Sequence, residues 1–421
     1  MPGTKNLTIR SEEVIARCRT LAAFTETPGR TLRTFLSRPM RDCHREITRW
    51  LNTLGAEVTL DAAGNLRGFY SGEQPSAPRL FIGSHLDTVP NAGAYDGVLG
   101  VVLAVAILEA LEGRRLPFGI EVVGFSEEEG VRFRTPFIGS RALVGRLDEE
   151  LLNCSDSKGV SVRAAIENFG LNLRDLPWAQ LRADTIAYLE FHIEQGPVLE
   201  SLGRSLGAVE AIVGQTRIDL CFLGRANHAG TTPMHLRHDA LAAAAELTIA
   251  VERTAQNEPN LVATVGQIDA KPGAANVIPG EARVSLDVRH KSDGARRRAT
   301  ETLVHQAEEI AERRGLSLQS SVLLNQNAVA MDPFLVNEIE KAIRKTGCEP
   351  HRMVSGAGHD AMILAERVPA AMAFLRSPGG ISHDPAESVL LGDVEKALEC
   401  GLHLLDELAG SAEFQKRMCR A

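Results

Sequence analysis

Five residues of metal-ligand type, His85, Asp96, Glu129, His192 and His383, stand in GSHLDTVPNAGAYDG, SEEEGVRF, EFHIEQGP and GGISHDPAE, beside turn-forming glycine, proline or aspartate. Intervals of 11, 33, 63 and 191 residues separate them. None of these is a zinc-finger or HExxH spacing, so a shared site could form only through long-range folding. The last interval constrains the fold most. If His383 is to join the other four, much of the stretch before it must be an insertion from which the chain returns.

Periodicity supports that division. Helical patterns cover 11–24, 41–54 and 98–111, and 80–82 and 120–125 read as short buried strands. From about residue 213 the order changes. IVGQTRIDLCFLG reads as a strand, 239–254 as an Ala-rich helix, NLVATVGQID and ARVSLDVRH as strands, 293–314 as a helix and LSLQSSVLL as a strand. The order βαββαβ is that of a ferredoxin-like sandwich. Helix and strand alternate again after about 329. The expectation is an α/β chain whose main domain, 1–212 with 329–421, is interrupted by a domain at 213–328.

Composition allows this. A chain of 421 residues, 44% hydrophobic and 24% charged, can bury two cores. Its net charge of −8 argues against an electrostatic nucleic-acid binder, and Arg296, Arg297 and Arg298 read as a solvated helix face. Seven cysteines, at 18, 43, 154, 221, 348, 400 and 419, show no CxxC spacing and are odd in number, which predicts reduced thiols in a cytoplasmic protein. MPGTKNLTIRSEEV has no apolar core, and no apolar run reaches the roughly 18 residues of a membrane span, so neither export nor membrane insertion is expected.

The ligand candidates each have a bland alternative: a hydrogen-bonded structural histidine, an Asp-Gly turn at Asp96, a solvated acidic turn at Glu127, Glu128 and Glu129. Local context favours the functional reading. Asp87 stands two residues after His85, as a carboxylate that orients a ligating imidazole would. IEVVGF would deliver the three glutamates to the carboxyl end of a buried strand, where α/β sheets bind ligands. Five ligands exceed the needs of one tetrahedral zinc, so a two-metal hydrolase is expected.

HLDTV, DGVLGVV, EEEGVRF, GSRAL, HIEQGP, HAGTTPM, ANVIPG, DVRH, GAGHDA and GGISHDPAE together resemble the hydantoinase/carbamoylase family of amidases, a branch of the aminoacylase and carboxypeptidase type of dinuclear metallohydrolases. The resemblance implies a zinc-exopeptidase-like catalytic domain, with a mixed sheet flanked by helices, and an inserted lid and dimerisation domain. It implies two divalent ions per subunit, zinc first, with manganese, cobalt or nickel also suited. Asp96 would bridge them, His85 and His192 completing one site and Glu129 and His383 the other. Glu128 matches the general base. His228, Asn276 and Arg289 match the lid groups that hold a carboxylate and polarise the scissile carbonyl, a task suited to the planar fork of arginine. Gln195 and His359 would face the substrate, and His228 could reach the partner's site in a homodimer.

The implied reaction is hydrolysis of a linear C–N bond in a small ureido acid. An N-carbamoyl-L-amino acid would give the L-amino acid, ammonia and carbon dioxide. Allantoate is the alternative substrate. N-carbamoyl-β-alanine hydrolysis, an aminoacylase or peptidase activity, and a non-catalytic binding role stand behind these. Asp384 replaces the asparagine that follows the last histidine in many members, adding a negative charge near the site.

Overall fold

The computed structural model describes residues 4–419. The chain divides into two compact units, one running to Glu210 and resuming at Met331, the other spanning Ala211–Ala330.

The first unit is built on a mixed sheet. Its main strands are β1 (Glu57–Leu60), β2 (Leu66–Tyr70), β3 (Arg79–His85), β4 (Gly119–Phe125), β5 (Thr185–Ile193), β6 (Leu206–Ile212) and a late strand, Ala370–Leu375, while Val329–Ala330 and His351–Ser355 also pair with β6. Their spatial order is β1-β2-β4-β3-β5, then Ala370–Leu375, then β6. The run β4, β3, β5, Ala370–Leu375 is parallel, and the flanking pairs are antiparallel. Every residue of β4, β5 and Ala370–Leu375 is buried. Such parallel strands, covered on both faces, need continuous apolar sequence, which is why GIEVVGF and AAMAFL carry no alternation. The helix Val98–Ala110 packs on β3 and β5 and buries all but Glu109, as its apolar composition on every side requires. Glu109 receives the fork of Arg17 at 3.0 and 2.8 Å, tying this helix to the helix Thr4–Ala22.

Two helices begin earlier than their periodicity predicts. Thr4–Ala22 buries Leu7, Ser11, Val14, Cys18 and Leu21 as one stripe. Its polar member, Ser11, donates its hydroxyl to the Leu7 carbonyl at 2.8 Å, so it is satisfied in the core yet interrupts the hydrophobic signal. Arg38–Thr53 starts where Ser37 accepts the Met40 N–H, with Pro39 in the first turn.

The second unit has four antiparallel strands in the order Ser317–Gln326, Gly214–Leu223, Glu281–His290, Val262–Lys271. The helices Ala240–Asn257 and Asp293–Arg313 pack against them around Leu220, Phe222, Leu247, Val284 and Leu303. This is a ferredoxin-like arrangement. IVGQTRIDLCFLG divides into two strands, β6 ending at Ile212 and the next beginning at Gly214.

The basic run at 296–298 is not wholly a solvated face. Arg297 and Arg298 are exposed, but Arg296 is fully buried. It donates to the Gln215 carbonyl at 2.9 Å, to Asn325 Oδ1 at 2.8 Å, to Asp293 Oδ1 at 3.0 Å and to the Thr216 hydroxyl. A guanidinium can leave water only with such a set of acceptors, and here it fastens its helix to two strands.

Candidate metal centre

The ligand candidates of the first unit lie at or just beyond the carboxyl ends of neighbouring parallel strands. His85 ends β3, the glutamates follow β4, His192 is the penultimate residue of β5, and His383 follows the strand Ala370–Leu375. Asp96 is presented by a γ-turn, in which the Val98 N–H bonds to the Asp96 carbonyl at 2.7 Å around Gly97 at φ 65°, ψ −51°. A β-carbon on Gly97 would land on the His85 ring. Gly97→Ala is therefore expected to destabilise the fold by about 1–3 kcal/mol and to weaken metal binding, measured by urea unfolding and metal titration. Unchanged values for both would exclude this role for the turn.

The geometry brings all five together. Asp96 Oδ1 lies 3.3 Å from His192 Nε2 and 3.7 Å from His85 Nε2, while its Oδ2 lies 3.2 Å from His383 Nε2. Glu129 Oε1 is 3.7 Å from His383 Nε2. His85 and His192 each direct Nδ1 at a backbone carbonyl, of Asp87 at 3.0 Å and of Ile193 at 2.8 Å. Those contacts require a proton on Nδ1 and turn the Nε2 atoms inward, 3.5 Å apart. The sets His85, Asp96, His192 and Asp96, Glu129, His383 each have ligand atoms within 4.8 Å of one another, as do His85, Glu128 and Glu129.

Electrostatics favour a cation here. Burial, reinforced by Glu129, pushes Glu128 well above the usual carboxylate range, and burial with Asp96 pushes Glu129 up to about 7. Burial disfavours the charged form of Asp96 as well, but hydrogen bonds from His383 and His85 hold it well below its ordinary value. His85 is raised well above the imidazole range, because Asp87 and Asp96 outweigh its burial. Protons thus balance the crowded carboxylates, and a divalent ion could replace them. The inward imidazoles and clustered carboxylates fit such an ion.

Supporting groups hold the ligand candidates. Asp87 accepts the N–H of Glu128 at 2.9 Å and of Glu129 at 3.1 Å, fixing the acidic turn beside His85. Glu190, buried under the site, accepts the Ser84 hydroxyl at 2.7 Å and the Ala361 N–H at 3.1 Å. Gln195, at φ 60°, donates its side-chain amide to both Asp96 oxygens at 3.1 and 3.0 Å. Glu387 contacts the Asp96 segment, and burial with the Asp96 charge pushes it up to about 7. Glu190, Glu387 and Ser382, whose hydroxyl donates to Asp96 Oδ2 at 3.4 Å, were not among the expected site residues. A glutamate four positions after His383 was the available signal for Glu387.

The other expected residues are placed less simply. His359 is buried, bonded through Nε2 to the Ser355 hydroxyl at 2.8 Å and set edge-on to the His192 ring at 4.5 Å. It backs a ligand candidate. His228, Asn276 and Arg289 belong to the Ala211–Ala330 unit. His228 is exposed and adjoins Asn276, whose carbonyl accepts the Ala229 N–H at 2.9 Å. Arg289 sets its fork on Asp287 at 2.8 and 3.0 Å, and Asp287 also receives Gln215 at 2.6 Å and Arg217 at 3.0 Å. Asp384 is exposed and accepts the Ala386 N–H at 2.8 Å, so its added charge caps a turn.

Inward-facing histidines and carboxylates at the carboxyl ends of parallel strands, with a buried glutamate beside them that favours its proton, define a divalent-metal hydrolase. The chain belongs to peptidase family M20/M25/M40, whose model matches residues 81–407. It is 36% identical to an allantoate deiminase of Arabidopsis thaliana, over 96% of this chain and 84% of that protein. It is 38% identical to an N-carbamoyl-L-amino acid amidohydrolase of Geobacillus stearothermophilus, over 86% of this chain and 90% of that one. In structure it resembles a hydantoinase/carbamoylase family amidase from Burkholderia multivorans, with a TM-score of 0.89 and 30% identity over 94% of this chain and 97% of the other.

Proposed function

We propose that this enzyme hydrolyses a linear C–N bond in a ureido acid, with an N-carbamoyl-L-amino acid as the favoured substrate and allantoate as the alternative. The observation that carries the reading is the protonatable Glu128 within 4.8 Å of His85 and Glu129. The relatives named above bear both substrate names and align over most of the chain, so both substrates are kept.

Two ions per subunit are proposed, with zinc first and manganese, cobalt or nickel as alternatives. The support is that Asp96 turns one oxygen to His85 and His192 and the other to His383, as a bridging carboxylate does. Divalent ions at such a site supply Lewis acidity, acidifying water and polarising a carbonyl. Glu128 takes the proton of the attacking water and passes it to the departing nitrogen. His228 donates to the oxyanion of the tetrahedral intermediate. Asn276, Gln195 and the Arg289 fork orient the substrate and its carboxylate, with Arg289 exchanging Asp287 for that group; His359, behind His192, has the weakest claim to substrate contact. One water breaks the carbamoyl C–N bond, and the released carbamate yields ammonia and carbon dioxide beside the amino acid. A homodimer in which the second unit acts as lid, with His228 serving the partner's site, completes the proposal. A cytoplasmic location is proposed from the seven cysteines, all unpaired; no helix among the described residues is long and apolar enough to cross a membrane.

The test is ammonia release by the metal-reconstituted protein from N-carbamoyl-L-amino acids, allantoate and N-carbamoyl-β-alanine, with free amine measured from N-acetyl amino acids and dipeptides. Ammonia from an N-carbamoyl-L-amino acid supports the first reading and ammonia from allantoate alone the second; amine without ammonia overturns both. Arg289→Ala is expected to raise KM for carboxylate-bearing substrates by roughly 10–100-fold, the loss of a charged hydrogen-bonding pair. Unchanged kcat/KM would remove Arg289 from the pocket.

A further inference from the structure

Glu387 joins two of the segments that form the metal centre. Its Oε1 accepts the backbone N–H of Tyr95 at 2.8 Å and of Asp96 at 3.1 Å, and its Oε2 accepts the Ser382 hydroxyl at 3.3 Å. Its own N–H bonds to the Asp384 carbonyl at 3.0 Å, closing the turn that directly follows His383, itself at φ 58°. One buried carboxylate thus fastens the segment of Asp96 to the segment of His383, far apart in the chain. Gly93 makes the approach possible, because a β-carbon there would press into the Glu387 side chain. A glutamate that merely capped a turn would bond within its own turn. Here Oε1 serves only the other segment.

We infer that Glu387 is a positioning residue that sets the spacing of Asp96 and His383, and through it the affinity for the ion those two residues would share. The inference rests on the proposed ligand roles of Asp96 and His383. Left-handed backbone at a non-glycine residue such as His383 costs free energy and persists only where its surroundings hold it. The bonds from Glu387 and Ser382 are placed to do so.

Cobalt(II) titration of the metal-stripped, full-length protein, read by calorimetry and visible absorption, tests this. Glu387→Ala is expected to weaken one of the two ions about 10–100-fold, the usual effect of losing a hydrogen-bond partner behind a ligand. Glu387→Gln keeps Oε1 for both N–H groups and should restore most of that affinity. Gly93→Ala strains the same contact with the carboxylate intact and should weaken the same ion. Wild-type affinity for both ions in Glu387→Ala, or an equal loss of both together with a lower melting temperature of the metal-free protein, would overturn the inference. His383→Ala, run in parallel, separates the two possible failures. If it leaves cobalt binding unchanged, the ligand assignment falls and this inference with it; if it removes one ion while Glu387→Ala removes none, only the positioning role falls.

Discussion

Glu128→Gln is expected to lower kcat by about 10²–10⁴-fold, the usual contribution of a general acid–base group, with metal content unchanged. The amide matches the carboxylate in size, and the backbone N–H of residue 128 stays bonded to Asp87. The acidic turn therefore keeps its place while its proton carrier is lost. The affinity of Glu128 for a proton arises from burial and from Glu129, and an uncharged amide has none to exchange. Metal analysis beside single-turnover kinetics checks both halves. Wild-type turnover in a fully loaded sample would remove Glu128 from the role of base.

Asp96→Ala should have the other large effect, abolishing measurable turnover by removing the metal itself. Asp96 is the carboxylate shared by His85, His192 and His383. Without it the first two imidazoles face each other across 3.5 Å with no negative charge between them to balance a divalent cation. The loss of affinity should exceed the roughly 10–100-fold typical of residues that only orient a ligand, leaving bound metal below about a tenth of the wild-type content under limiting supply. Full metal content in this variant would refute the bridging role.

Much of this could be read from the chain because the informative residues are punctuated. His85, Asp96, Glu129, His192 and His383 stand at strand ends or in turns beside glycine, proline or aspartate, so turns and ligand candidates mark each other. The βαββαβ order was legible because its two helices and four strands carry separate periodicities. What escaped was satisfied polarity in buried places. Ser11 lies in a buried helical stripe, Arg296 ties a helix to two strands, and Glu387 bridges two loops, yet each is polar by composition. Ser11 bonds one turn back in its own helix, whereas Arg296 and Glu387 find partners that only folding brings close. His359 shows the reverse case: a family motif suggested a pocket residue, and the fold sets it behind His192, a relation that no local pattern encodes.

The late strand Ala370–Leu375 lies between β5 and β6, pairing parallel with one and antiparallel with the other. β5 precedes the Ala211–Ala330 unit in the chain, and β6 leads into it. During synthesis, β5 and β6 therefore each wait with the edge that this strand will cover unpaired until residue 375 has been made, and β5 is buried along its whole length in the finished fold. Open edges of this kind template association between nascent chains. The architecture that gathers the ligand candidates from distant parts of the sequence thus makes soluble expression depend on how quickly translation delivers the last strand, and chains interrupted before it should accumulate as aggregates.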